Sequence, residues 1–247
     1  MDKFDLKNAY ISWTNRVKSR DLPPAKALQT AIGGEFEAFG IIQSEMLKFF
    51  GLNEDSYVID VGCGSGRLAA PLSQWSSLKY LGFDVVPDLV DHARQVANRE
   101  DWKFAVVDKI EIPEKDGKAD MVCFFSVLTH LLHEQSYIYL EEARRVLKPG
   151  GVIVLSFLEF AMAFHWDVFA GTVADAKGGS HHPLNVFISR DALEAWAKRL
   201  DLELVQIRDG DEPFVPLPQP VTLEDGRVME SFGNLGQSIC VLRKPEA

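Results

Sequence analysis

Three features of the sequence predict an α/β domain built on a doubly wound, mostly parallel sheet. Between residues 57 and 157, short β-branched runs alternate with stretches whose apolar residues recur at helical spacing. A glycine cluster, Gly62-Cys63-Gly64-Ser65-Gly66, follows the first run, and acids stand at the ends of the first three: Asp60, Asp84 and Asp108. The length of 247 residues suits one large α/β domain with a helical addition.

Residues 1–50 read as an N-terminal helical cap, broken at Asp21-Leu22-Pro23-Pro24 and again at Gly33-Gly34. From Glu35 to Phe50, the residues Phe36, Phe39, Ile42, Met46, Phe49 and Phe50 form a helical stripe that Gly51 can end. That helix either packs on the sheet or caps a ligand. Residues 51–247 form the main domain. Tyr57 to Val61 is a buried strand, Gly66 to Trp75 a helix despite Pro71, and Lys79 to Asp84 the second strand. Asp88 to Asn98 is a helix with Pro87 at its start. Lys103 to Val107 and Ala119 to Phe125 follow as strands. Leu140, Ala143 and Leu147 mark a helix from Glu134 that Pro149-Gly150-Gly151 stops, and Val152 to Phe157 is the fifth strand. Residues 158–188 read as an irregular lid insertion. A helix from Asp191 to Leu200 capped by Ser189, a strand from Leu202 to Arg208, a Pro-rich loop and a strand from Gln237 to Leu242 complete the chain.

With 47% apolar and 25% charged residues, the composition is that of an ordinary globular protein. The balance of 26 basic against 36 acidic residues gives a net charge of −10, which repels phosphate backbones and anionic lipid. Nucleic acid and membrane are therefore poor default partners. Cys63, Cys123 and Cys240 are odd in number and widely spaced, which indicates neither disulfides nor zinc. His181 and His182 lack a third ligand at suitable spacing, so no metal is expected. The first residues, MDKFDLKNAYISW, lack the layout of a signal peptide, and no run approaches the ~20 apolar residues of a membrane span. A cytoplasmic protein is expected.

The glycine cluster sits at a strand-to-helix turn, where glycines permit a sharp bend and let a ligand approach the main chain. Dinucleotide enzymes use a similar turn, so the pattern alone leaves the ligand open. Charge separates the readings. A carboxylate ~5 Å from a pyrophosphate costs roughly 3 kcal/mol at an effective dielectric of 20. Asp60, two residues before the first glycine, therefore opposes a dinucleotide and favours a phosphate-free cation. Asp84 ends the second strand, where it can accept from two ribose hydroxyls. Asp108 suits an adenine amino group, and Phe125-Ser126 reaches the same edge. Any one of these acids could equally cap a helix or face solvent; their ordered set points to one crevice.

Val58-Ile59-Asp60-Val61-Gly62-Cys63-Gly64-Ser65-Gly66-Arg67-Leu68 resembles motif I of the class I S-adenosylmethionine-dependent methyltransferases. Gly82-Phe83-Asp84, Phe104 to Asp108 and Leu147-Lys148-Pro149-Gly150-Gly151 resemble the later motifs, so the likeness covers about residues 57 to 158. It implies a Rossmann-like, seven-stranded sheet whose last strand is antiparallel, with S-adenosyl-L-methionine as cofactor. It further implies that Asp60, Gly62, Cys63 and Gly64 hold the methionine part, that Asp84, with Val85 beside it, holds the ribose, and that Asp108 holds the adenine. Phe125 and Ser126 complete the cofactor set. Arg67 either pairs with the cofactor carboxylate or sits exposed at the helix start. Gly33-Gly34-Glu35-Phe36 and Ser126-Val127-Leu128-Thr129-His130-Leu131 resemble bacterial members that modify sugars or other small hydroxylated metabolites.

The implied reaction is methylation of a small-molecule acceptor, with oxygen favoured as the acceptor atom and neither nucleic acid nor membrane as partner. The alternatives are an NAD(P)-dependent oxidoreductase on the same fold, or a non-catalytic cofactor-binding module. Alignment of the reactants contributes ~7–11 kcal/mol; a general base adds ~10²–10⁴-fold. Histidine is the natural base near neutral pH. His130 after the fourth strand, and His165 and His182 in the lid, are the catalytic candidates. His133 is assigned to the next helix's cap and His92 to the surface. Tyr10, Trp13, Phe160, Phe164, Trp166 and Phe169 either line a substrate pocket or pack in the core.

Overall fold

The computed structural model describes residues 6–179 and 183–246. Seven strands make the main sheet: β1 (Tyr57–Val61), β2 (Lys79–Asp84), β3 (Lys103–Val106), β4 (Ala119–Phe124), β5 (Leu147–Phe157), β6 (Glu203–Arg208) and β7 (Ser238–Arg243). Their spatial order is β3-β2-β1-β4-β5-β7-β6. Strand β7 runs antiparallel to both β5 and β6, while the pairs among the first five strands are parallel. This is the doubly wound sheet with an antiparallel last strand that the sequence implies. Strand order reverses between β1 and β4, and ligands of such sheets bind outside the carboxyl ends of the strands at that point.

Eight helices flank the sheet among the described residues: α1 (Leu6–Lys18), α2 (Pro24–Ala31), α3 (Phe36–Phe49), α4 (Ala69–Leu72), α5 (Pro87–Ala97), α6 (His133–Val146), α7 (His165–Gly178) and α8 (Arg190–Arg199). One sheet face is covered by α6 and α8 through Leu140, Ala143, Val146, Leu193 and Ala197. Helix α3 lies over the other face, placing Ile42, Met46 and Leu47 against Val58, Met121 and Val154. It therefore packs on the sheet. The hairpin of α1 and α2 has its own small core, built from Val17, Ala27 and Ala31 with Val86 and Leu89 of the body.

Three expectations need correction. The helix predicted from Gly66 to Trp75 shrinks to Ala69–Leu72, because Gly64 and Gly66 take positive φ of 53° and 90° and keep the loop out of helical geometry. Residues 158–188, read as irregular, contain the 14-residue α7, closed by Gly179 in the left-handed conformation. His165 is its buried residue, so no apolar stripe marks it in the sequence. The Pro-rich loop carries two short antiparallel ladders, Val215–Pro216 with Phe232–Gly233 and Val221–Thr222 with Val228–Met229.

Candidate functional site

The glycine loop leaves β1 and is pinned from both sides. The Cys63 N–H donates to the Phe83 carbonyl at 3.0 Å, and the Gly64 N–H donates to Asp84 Oδ2 at 3.1 Å. The other Asp84 oxygen accepts the Val86 N–H at 3.0 Å. Burial raises the Asp84 pKa, while the N–H groups of Val86, Gly64 and Val85 oppose that rise. A β-carbon on Gly64 would stand 2.9 Å from Ile32 Cγ2, and one on Gly62 would stand 2.6 Å from Val127 Cγ2. At both positions a protein side chain occupies the space a β-carbon would take, so the turn needs glycine for this packing and for its positive φ.

Asp60 sits behind this loop, only 3% exposed. Tyr80 donates its hydroxyl to Asp60 Oδ2 at 2.5 Å, and the Cys123 thiol approaches Oδ1 at 3.5 Å. Burial pushes the Asp60 pKa to about 7, against the lowering effect of those two donors, and the nearby Asp84 adds to the rise. Its carboxylate is committed to protein donors, so it supports the loop from beneath. Asp108 lies at the other extreme, exposed and paired with Lys7 of α1 at 3.0 Å. That ion pair holds its pKa below the usual carboxylate range. Val85 joins the hairpin core, and Phe125 packs against the α3 side of the sheet.

A cavity of about 200 Å³ opens beside the loop, with Gln43, Arg67, Ser126, His130, Ser156 and Gln237 as its polar lining. Ser126 has a positive φ of 59°, a conformation that non-glycine residues adopt at a cost and that recurs at functional sites. Three side chains close a ring there. The Ser126 N–H donates to Ser156 Oγ at 2.7 Å, Ser156 donates to Gln237 Oε1 at 2.7 Å, and Gln237 Nε2 donates to Ser126 Oγ at 3.1 Å.

His130 lines the same cavity. Its Nδ1 lies 2.5 Å from the Leu184 carbonyl. A carbonyl only accepts, so Nδ1 carries the proton and neutral His130 presents a lone pair on Nε2. Burial lowers its pKa despite the Leu184 hydrogen bond, so the ring is neutral at pH 7.

Arg67 is buried rather than exposed at the helix start. It donates to the carbonyls of Ile32 at 3.0 Å and Gly34 at 2.5 Å, and its Nε is buried with no partner. Burial lowers its pKa to about 10, which leaves it charged. That orphaned donor suits a ligand carboxylate.

Three histidine expectations change. His165 is 1% exposed; its Nδ1 accepts the Glu159 N–H at 3.1 Å and its Nε2 donates to the Gly236 carbonyl at 3.2 Å. Both nitrogens are engaged, so His165 braces the start of α7 and is not a base. His92, assigned to the surface, is buried beneath the loop with Nδ1 2.8 Å from the Ser65 carbonyl. Its spacing of three from buried Leu89 put it on the core face of α5. His182 and His181 lie outside the described residues. His133, expected in the cap of α6, is instead its first helical residue after Leu132, with Nε2 3.0 Å from the Phe187 carbonyl.

Phe160, Trp166, Phe169 and Phe187 form one ring cluster away from the cavity lining, with Trp166 half exposed. Gln43, Ser156 and Gln237 are site residues that the sequence reading missed. Ser156, a lone polar residue inside the apolar run of β5, was the one local signal.

Acceptors at Asp84 and Asp108 and the unpartnered Arg67 Nε fit a cationic nucleoside carrying a carboxylate better than an anionic dinucleotide. Among the described residues, no three His, Cys, Asp or Glu side chains converge to hold a metal, and no helix is long and apolar enough to cross a membrane.

The family model described as a methyltransferase domain matches residues 37–207. The ubiquinone biosynthesis O-methyltransferase of Coxiella burnetii is 26% identical over 181 residues, which cover 70% of this chain and 76% of that protein. Norajmaline N-methyltransferase of Rauvolfia serpentina is 27% identical over 133 residues, 50% of this chain and 45% of that protein. The chain thus aligns with less than half the length of that relative. Among solved structures, the N-methyltransferase NodS of Bradyrhizobium japonicum, in complex with S-adenosyl-L-homocysteine, superposes with a TM-score of 0.61 at 16% identity, covering 96% of this chain and all of that one. At that identity the likeness speaks for the fold. The chain belongs to the methyltransferase domain family, as a class I member of the S-adenosylmethionine-dependent kind.

Proposed function

We propose that the chain methylates an oxygen of a small hydroxylated molecule, with His130 as general base. The observation that supports this most is the His130 tautomer. Nδ1 is tied to the Leu184 carbonyl, so Nε2 is the accepting nitrogen on a residue that lines the polar cavity. S-adenosylmethionine, when bound, supplies a methyl group already activated on a sulfonium, so the protein need only align the acceptor and manage its proton. Asp84 and the loop N–H groups position the nucleoside side, Asp108 contributes to that side once released from Lys7, and Arg67 meets the carboxylate. Ser126 and Gln237 orient acceptor hydroxyls, and His130 takes the proton from the oxygen that is methylated. The O-methyltransferase relative is consistent with this reading, and the acidic surface favours a small acceptor over nucleic acid. Residues 158–188, with α7, are proposed as the lid over the acceptor side.

The test is turnover of the His130→Gln variant across a panel of hydroxylated acceptors, beside calorimetric titration with S-adenosylhomocysteine. The expected result is a turnover loss of roughly 10²–10⁴-fold with ligand affinity within about twofold of wild type. Equal losses in both would make His130 structural, and transfer to amines alone would remove the oxygen assignment.

A further inference from the structure

Tyr10 projects from α1 into the site that His130 and Asp84 define. Its ring meets the His130 imidazole edge-on, with centroids 5.2 Å apart and planes at 77°. Its hydroxyl is buried and has no hydrogen-bond partner. Buried hydroxyls are almost always paired, and one left unpaired opposes folding. Here the orphan points to a partner that arrives with a ligand. Burial and the charge of Asp84 raise the phenol pKa well above its ordinary value, so the group stays a donor at neutral pH.

The element that carries Tyr10 packs on the body through a small cluster that includes Val86 and Leu89. The α1–α2 hairpin has its own small core, distinct from the two that flank the sheet, and Trp13 ties its helices together by donating to the Ala31 carbonyl at 3.0 Å. Ion pairs also join it to the body: Lys7 with Asp108, Lys18 with Asp88 and Lys26 with Glu224. All six partners are substantially exposed, and exposed pairs hold weakly. The hairpin also covers the crevice, with Ile32 against Gly64 and Lys7 on Asp108. Lifting of the hairpin would admit a nucleoside to Asp84 and Asp108, and reclosure would bring Tyr10 back over it.

We propose that Tyr10 is a binding residue for the S-adenosyl ligand, donating its hydroxyl to a ligand oxygen when the α1–α2 hairpin closes. The proposal rests on the cofactor assignment made above. Tyr10→Phe keeps the ring against His130 and removes only the orphaned hydroxyl. Two measurements on the full chain decide the matter: thermal unfolding without ligand, and calorimetric titration with S-adenosylhomocysteine. The expected result is a ligand-free melting temperature equal to or above wild type, with binding of S-adenosylhomocysteine weakened about tenfold. Unchanged affinity in the variant, beside normal binding by wild type, overturns the proposal and leaves the cofactor assignment standing. A lowered ligand-free melting temperature overturns it too, because the hydroxyl would then have a structural role. Absence of binding by wild type removes both the proposal and the assignment beneath it.

Discussion

Asp84 Oδ2 accepts the N–H of Gly64 at 3.1 Å, so the acid that ends β2 holds the loop that leaves β1. The same carboxylate accepts Val86 N–H through its other oxygen. The acid that the family resemblance assigns to the ribose thus also sets the shape of the loop. Asp84→Asn replaces one acceptor by a donor and leaves a loop N–H facing an NH₂ group. We expect it to destabilise the ligand-free protein by about 1–3 kcal/mol and to weaken S-adenosylhomocysteine at least about tenfold, measured by urea unfolding and calorimetry. Loss of stability with intact affinity would confine Asp84 to bracing the loop.

His130 gives the proposed reaction a defined pH dependence. Its lone pair works only when the ring is neutral, and burial lowers its pKa below the ordinary 6.5. Activity should rise with pH through a pKa below 6.5 and stay level across pH 7 to 8. In the His130→Gln variant that acid limb should vanish. A wild-type limb centred above 6.5, or one that survives in the variant, would assign the titration to another group.

Strands and glycine loop were legible because their signals are local. Val58-Ile59-Asp60-Val61 followed by glycines needs no knowledge of distant residues, and Asp84 stands where the second β-branched run stops. What stayed hidden depends on contacts across the chain. Gln237 reaches Ser126 over 111 residues, and nothing beside it marks it as polar lining. His165 was read as a lid base because an exposed loop was expected around it, whereas the helix it opens buries the ring between Glu159 and Gly236. Helix α7 itself escaped because its burial comes from that one residue rather than from a stripe. Tyr10 was one aromatic among several until the hairpin placed it edge-on to His130.

Asp60 makes a measurable prediction because burial raises its pKa to about 7, against roughly 3.9 in an unfolded chain. Between those values the unfolded protein releases this proton while the folded protein keeps it. Folding therefore weakens as pH rises from about 4 to 7, and the effect is constant above that. Asp60→Asn can still accept from Tyr80 and has no proton to lose. The stability of the variant relative to wild type should thus increase across that window by up to about 4 kcal/mol, a shift of about three units at 1.36 kcal/mol each. Urea unfolding of both proteins at pH 5, 6, 7 and 8 reads the trend. An opposite slope would mean that Tyr80 and Cys123 outweigh burial and hold Asp60 ionised.

Gly66 and Gly51 separate backbone strain from packing at the loop. Both have strongly positive φ, 90° and 102°. A β-carbon at Gly51 meets nothing within 4 Å, whereas one at Gly66 stands 2.7 Å from Ala93 Cα and 2.7 Å from Val96 Cγ2 on α5. Gly51→Ala should cost only the conformational term, about 1–2 kcal/mol. Gly66→Ala adds overpacking against a helix backbone, typically another 1–3 kcal/mol, and pushes on α5 where His92 meets the Ser65 carbonyl. Its effect should therefore reach the ligand site, with S-adenosylhomocysteine bound several-fold more weakly, while Gly51→Ala leaves affinity at the wild-type value. Equal unfolding costs for the two variants would show that α5 yields to the extra carbon. The need for glycine at position 66 would then lie in backbone conformation alone.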